Sequence, residues 1–341
     1  MQRPYSLPLV ASFTLLVLLL AACSGSSDES ADTTLASSTT EQATTTTTAS
    51  TTTATTTTTA PTTTTTVAET SVAMVTETGL VYATFNDATL TLDMNVPAEP
   101  SGAPIVIAPA TVPIVFWPRT ELAEGLVAEG AIVVYPELKQ SAVSPEEFLS
   151  DNGGAVRAMA DQLACAIHFA RERASELGSD DPIVALTGFS LDGGYSAHAA
   201  LFGATLEARW DEFAAEGGPP RQAECEVTDG STHVDAVVGM AGAYDVFVPI
   251  HNGGFGLSYQ QERDPELQEF LSSSIGANPD LTVRLIHGNA DVTINPEYSV
   301  EFAATLADAG YDVGEVVFFD GQHGTPPTEV AVQTIIEAIA P

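Results

Sequence analysis

The period of the hydrophobic positions changes along this chain, and the changes mark out its elements. Residues 89–94 (TLTLDM) alternate polar and apolar side chains, as a strand with one covered face does. Residues 104–108 (PIVIA), 131–135 (AIVVY), 183–187 (IVALT), 236–240 (AVVGM) and 281–286 (LTVRLI) are short, mainly apolar runs. Strands buried on both faces of a parallel sheet need such runs. Between them the apolar spacing becomes three and four, which predicts helices over 121–129, 154–177, 193–202, 300–310 and 328–339. The long 154–177 helix reads as amphipathic. Gly130 and Gly178 stand where the first two should stop. A final strand is expected over 314–319. Strands alternating with helices predict an α/β fold, a mostly parallel, doubly wound sheet flanked by helices. Ligands of such sheets gather at the carboxyl ends of the strands.

The pattern fails toward the N-terminus. After Arg3 an apolar run covers residues 7–20, too short for a stable span, and reads as a secretory signal. Leu20-Ala21-Ala22-Cys23 follows and resembles the lipobox of bacterial lipoproteins. That resemblance implies acylation of Cys23, export, and tethering to the outer face of the bacterial cell membrane. An ordinary signal peptide cut nearby is the alternative. Residues 24–70 are mostly Thr, Ser and Ala, with few large apolar side chains to offset their ordering entropy, and are expected to form a disordered stalk. Residues 71–341 then make one folded domain.

Charge narrows the partners. Against 45 Asp+Glu stand 10 Lys+Arg, a formal net charge of −35, which repels nucleic acid and anionic lipid. Three cysteines occur. With Cys23 assigned to the anchor, Cys165 and Cys225 remain in an oxidising compartment, where one disulfide is the simplest reading and two buried thiols the other. No cysteine or histidine spacing suggests a metal site, and no cofactor is expected.

The candidate chemistry begins at GFSLDGG, residues 188–194, which follows a predicted buried strand. It nearly matches the strand-to-helix turn G-x-S-x-G that presents a nucleophilic serine. A serine needs a base to take its proton, and the base needs an acid to orient it. Downstream, LIHGNADVTINPEYS (285–299) places Asp291 just after a buried strand, and VVFFDGQHGTP (316–326) places His323 after the last one.

From about residue 80 to the end, the chain resembles the esterase branch of the α/β-hydrolases, carboxylesterases and dienelactone-hydrolase-like proteins. The resemblance is carried by VYATFNDATLTLDMNVPAE as a first hairpin, by VALTGFS entering the elbow, and by IHGNADVTINPEYS followed by GQHG. It implies the α/β-hydrolase fold, with Ser190 as nucleophile, His323 as base and Asp291 as its orienter. It also implies hydrolysis of a small or polymeric ester through an acyl-enzyme. Two departures matter. Asp192 stands two after Ser190, where the family has a small residue; its carboxylate is expected to point outward or to distort the turn. A register with Asp192 as nucleophile, as in dehalogenase-like relatives, and an inactive elbow are the alternatives. The second departure is the loop after 105–107, which reads APATVPIVFWPRT (108–120) in place of the His-Gly-Gly-Gly of many esterases. Oxyanion donors are expected at the Leu191 N–H and at either Ala110 or Thr111.

Other residues are weaker candidates. Trp117, Tyr244 and His251 lie near strand ends and are placed in the substrate pocket. His287 sits inside a strand motif and reads as structural, and His168 and His198 read as core-edge or surface histidines on helices. The segment 203–232 is short for a lid, so the cleft is expected to be open, with a short lid or none. A surface binding module on the same fold, a peptidase and a polyester hydrolase are the competing functions.

Overall fold

The computed structural model describes residues 73–111, 119–139, 153–244 and 265–340. Cys23, the expected signal and the expected stalk lie outside these residues, as do Trp117 and His251. Strands β1 (Met74–Phe85) and β2 (Ala88–Pro97) form the expected antiparallel hairpin. Asn86 and Asp87 make its turn at φ 49° and 62°, the two positive φ values that a two-residue turn matching strand twist requires. There follow β3 (Ile105–Ile107), helix α1 (Arg119–Ala128), β4 (Ile132–Pro136), α2 (Gly154–Glu176), β5 (Val184–Phe189), α3 (Leu191–Phe202), α4 (Leu206–Ala215), β6 (Ala223–Cys225) and β7 (Ala236–Met240). Then come α5 (Pro265–Ser272), β8 (Thr282–Gly288), α6 (Glu297–Asp308), β9 (Asp312–Val313), β10 (Val317–Phe319) and α7 (Thr328–Ile339).

The sheet order is β10-β8-β7-β5-β3-β4-β2-β1-β6, with β9 beside β8 off that path. From β4 to β10 the pairs are parallel; β2 joins β4 antiparallel. Every residue of β3, β4, β5 and β7 is buried, as the continuous apolar runs demand. Alternate side chains enter two separate cores. Ile105, Ile107, Ile132, Val134, Val184 and Leu186 meet α2 and α3 on one face. Val106, Val133, Tyr135 and Ala185 meet Leu122 and Leu126 of α1 and Ile335 of α7 on the other. The sheet is therefore doubly wound.

Two sequence expectations are corrected here, and a third segment proves to carry structure. Helix α2 is buried along most of its length rather than amphipathic. Its one buried cation, Arg157, pairs with Asp161 (2.9 Å) and Asp211 (2.6 Å), as a charge withdrawn from water must. Residues 314–319 are not one strand. Val313 pairs with Val283 and Val317 with Ile286, so four steps of the last strand span three of β8, and the surplus residue splits it into β9 and β10. The segment 203–232, short for a lid, carries elements of its own. It holds α4 and β6, and β6 adds to the sheet beyond β1, pairing Cys225 with Ala83.

Cys225 also bonds to Cys165 of α2, across 60 residues of sequence and 4.9 Å between Cα atoms. A cross-link of that span limits the unfolded chain and is worth about 4 kcal/mol in a loop-entropy account. Replacing Cys165 and Cys225 together with serine is expected to lower the unfolding midpoint by roughly 10 °C, a shift readable by calorimetry.

Candidate active site

Strand β5 outruns β3. Its pairing with β3 ends at Leu186 opposite Ile107, while on the other side it continues to Phe189 opposite Met240. Ser190 therefore leaves the sheet at its carboxyl edge. Its backbone is at φ 57°, ψ −124°, a region that a residue with a side chain occupies only when its surroundings hold it there. They do: Ser190 N–H donates to Met240 O (3.0 Å), and Ser190 O accepts from Gly193 N–H (3.1 Å) and Ala243 N–H (3.1 Å). A Cβ on Gly188 would overlap the Asp192 carbonyl, and one on Gly193 would lie 2.9 Å from Gly188 O and 3.1 Å from Gly242 Cα. The close packing of the turn is made by these two glycines, which leaves the position between Leu191 and Gly193 free to carry a side chain.

The three residues separated in sequence converge at Ser190. His323 Nε2 lies 3.1 Å from Ser190 Oγ, and His323 Nδ1 lies 2.7 Å from Asp291 Oδ2. With a carboxylate at Nδ1, the proton sits there, and the Nε2 lone pair accepts from the serine hydroxyl. The Phe189 ring packs against the imidazole with centroids 4.9 Å apart. Asp291 is completely buried at its side chain. Its Oδ1 accepts from the N–H groups of Thr293 (2.8 Å) and Ile294 (2.9 Å). Burial works to raise its pKa, but the hydrogen bonds from His287, His323 and Ile294 outweigh it and hold the carboxyl well below the usual range.

His287, read from the sequence as structural, is a buried residue of β8 that supports Asp291. Its Nε2 faces both Asp291 Oδ2 (3.1 Å) and Ile294 O (3.0 Å). Two acceptors there assign the proton to Nε2, so Nδ1 accepts from the Ser299 hydroxyl at 2.6 Å. Asp291 thus takes two imidazoles on one oxygen. The signal in the sequence was the spacing His287-x-x-x-Asp291, with Ser299 a turn into the next helix.

Asp192 points neither outward nor away from the loop after β3. It is buried, and both carboxyl oxygens face Thr111 N–H, at 3.2 and 3.3 Å. Burial raises its pKa to about 7, while the Thr111 hydrogen bond and the Arg119 charge pull it the other way. This alters the expected oxyanion donors. Thr111 N–H has Asp192 as its acceptor, and Ala110 N–H donates to Pro136 O at 3.3 Å. Leu191 opens α3, so its N–H has no acceptor within the helix.

Tyr244 does not line a cleft. It is buried and stacked on Phe302 with centroids 4.3 Å apart, its hydroxyl filling the space beside Gly239 where a Cβ would stand. Of the two placements expected for His168 and His198, core edge or surface, the structure puts both on the core side, buried. His168 meets Glu207 at 2.7 Å, and His198 stands edge-on to Phe202 and Trp210, where burial lowers its pKa to about 3 and keeps it neutral. Among the described residues, no cluster of His, Cys, Asp and Glu is arranged to hold a metal ion.

No protein-family model matches the chain, and no curated protein matches it. Solved structures do. A truncated form of a carbohydrate esterase from gut microbiota superposes with a TM-score of 0.52 at 19% identity, over 80% of this chain and 98% of that one. Thermogutta terrifontis esterase 2 phosphorylated by paraoxon gives 0.51 at 18%, over 78% and 96%. A structure from a study of two fungal esterases of Rhizomucor miehei gives 0.51 at 18%, over 78% and 83%. At these identities the likeness is one of architecture: the chain has the α/β-hydrolase fold.

Proposed function

We propose that this protein is a serine hydrolase of carboxylic esters. The observation that carries the reading is the hydrogen-bonded line Ser190–His323–Asp291 at the carboxyl edge of the sheet, with the serine on a constrained turn. The structural neighbours are themselves described as esterases, which supports the same reading. Ser190 Oγ attacks the ester carbonyl carbon while His323 Nε2 takes its proton, and Asp291 steadies the imidazolium that forms. The Leu191 N–H is the donor proposed for the developing oxyanion. His323 then returns the proton to the departing alcohol, leaving an acyl group on Ser190. A water, deprotonated by the same nitrogen, releases the acid and restores the serine. In the same proposal, acylated Cys23 anchors the exported chain to the outer face of the cell membrane, and residues 24–70 space the domain from it.

Fluorophosphonate labelling followed by peptide mapping is expected to place one adduct on Ser190. A folded domain that takes no label sinks the reading, and an adduct with amide turnover equal to ester turnover makes the protein a peptidase. Ser190→Ala is expected to lower kcat for ester hydrolysis by about 10⁵- to 10⁶-fold. Asp291→Asn is expected to cost about 10⁴-fold in kcat, because an amide offers His323 the wrong proton arrangement. The same change removes a group whose pKa is depressed by folding. It should therefore destabilise the domain above about pH 4, with the difference from wild type closing as pH falls below that, measured as thermal midpoints across the pH range. Cys23→Ala is expected to move the protein from the detergent phase to the aqueous phase in a detergent partition of expressing cells.

A further inference from the structure

The contact between Asp192 and Thr111 joins two segments that meet nowhere in sequence, and the reaction steps above leave it unused. On its other side the loop after β3 is held by β4 and the residues that follow it. Ala108 N–H donates to Val134 O (2.8 Å), Ala110 N–H to Pro136 O (3.3 Å), and Leu138 N–H to Ala110 O (3.2 Å). Toward the serine, Thr111 bonds the Asp192 carboxyl through its N–H and also through its side chain. Ala108, Pro109 and Ala110 share a small cavity with Gly188, Phe189, Asp192 and Arg119, so the loop borders the turn that carries Ser190. Asp192 is 3% exposed. A carboxyl so far from water is costly unless hydrogen-bonded, and here the partner is Thr111 of that loop.

We propose that Asp192 is a positioning residue, whose carboxyl fixes the loop after β3 at Thr111 against the first turn of α3 and so sets the backbone bordering Ser190. The inference rests on Ser190 being the nucleophile. Thr111 contributes by where it is held, because its N–H is already taken. The charged group acting on Asp192 is Arg119 of α1; α3, β5 and the chain after β7 meet this turn through the backbones of Gly193, Gly188 and Gly242.

The test compares wild type, Asp192→Ala and Asp192→Asn in ester hydrolysis, with circular dichroism as the check on folding. Loss of the tether is expected to lower kcat of Asp192→Ala by about ten- to hundredfold, with KM within about threefold, as small misplacements in a site do. Asp192→Asn keeps an oxygen for Thr111 N–H and is expected to recover kcat to within about threefold of wild type. Burial pushes the folded carboxyl up to about 7 against 3.8 for a free side chain. Its contribution to stability is therefore present below about pH 4 and lost as pH rises to 7, because between those values the unfolded chain ionises while the folded carboxyl stays protonated. The thermal midpoint of Asp192→Asn should accordingly exceed that of wild type above pH 7 and match it near pH 4. A folded Asp192→Ala with wild-type kcat overturns the inference. So does an Asp192→Asn as impaired as the alanine variant, or one whose midpoint follows wild type at every pH. Wild type that neither turns over esters nor labels at Ser190 instead overturns the proposed function.

Discussion

A carboxylate withdrawn from water must find its hydrogen bonds in the protein, and Asp291 finds four. Two are backbone amides of its own turn, which fix where the carboxyl points. The other two are imidazoles, His323 and His287, on a single oxygen. Through His287 the carboxylate is tied to Ser299 at the start of α6, and through His323 to Ser190. One buried charge therefore holds the β8 turn, helix α6, the loop after β10 and the turn after β5 in register. Remove the charge and each of these segments keeps its own packing but loses its common reference point.

The fold was largely legible because burial on both faces writes itself into a sequence as short unbroken apolar runs. Ala236–Met240 and Thr328–Ile339 were readable to the residue, and the order of Ser190, Asp291 and His323 followed from looking past strand ends. Pairing was harder to read. The break of the last strand into β9 and β10, with 314–316 left out of both pairings, depends on a surplus residue against β8, and nothing in 314–319 alone signals it. Segment 203–232, with its Glu, Gly and Pro, hid β6 because a three-residue strand has no period to detect. Tyr244 was misplaced because a strand end can lead inward as well as outward, and its stacking on Phe302 is invisible before α6 is docked. His287 was legible as structural, but its bond to Asp291 was not, because a histidine inside a strand motif is equally consistent with packing alone.

Asp192 shows how one substitution within a motif can be absorbed when its neighbours carry the constraint. The turn needs bare backbone at Gly188 and Gly193, and it has that. The intervening side chain enters a space bounded by the loop after β3, a loop without the glycines of many esterases. Two departures that read separately as damage are in contact with each other.

His323 hangs from the sheet's outermost strand. Val317 and Phe318 of β10 are substantially exposed, and β10 is three residues long with β8 as its one partner in the sheet order. Edges of this kind open locally far more often than the whole domain unfolds. Ser190 and Asp291, by contrast, belong to the interior of the sheet. Fraying of this one edge is thus the smallest opening that separates His323 from Ser190 and Asp291, with every other strand still paired.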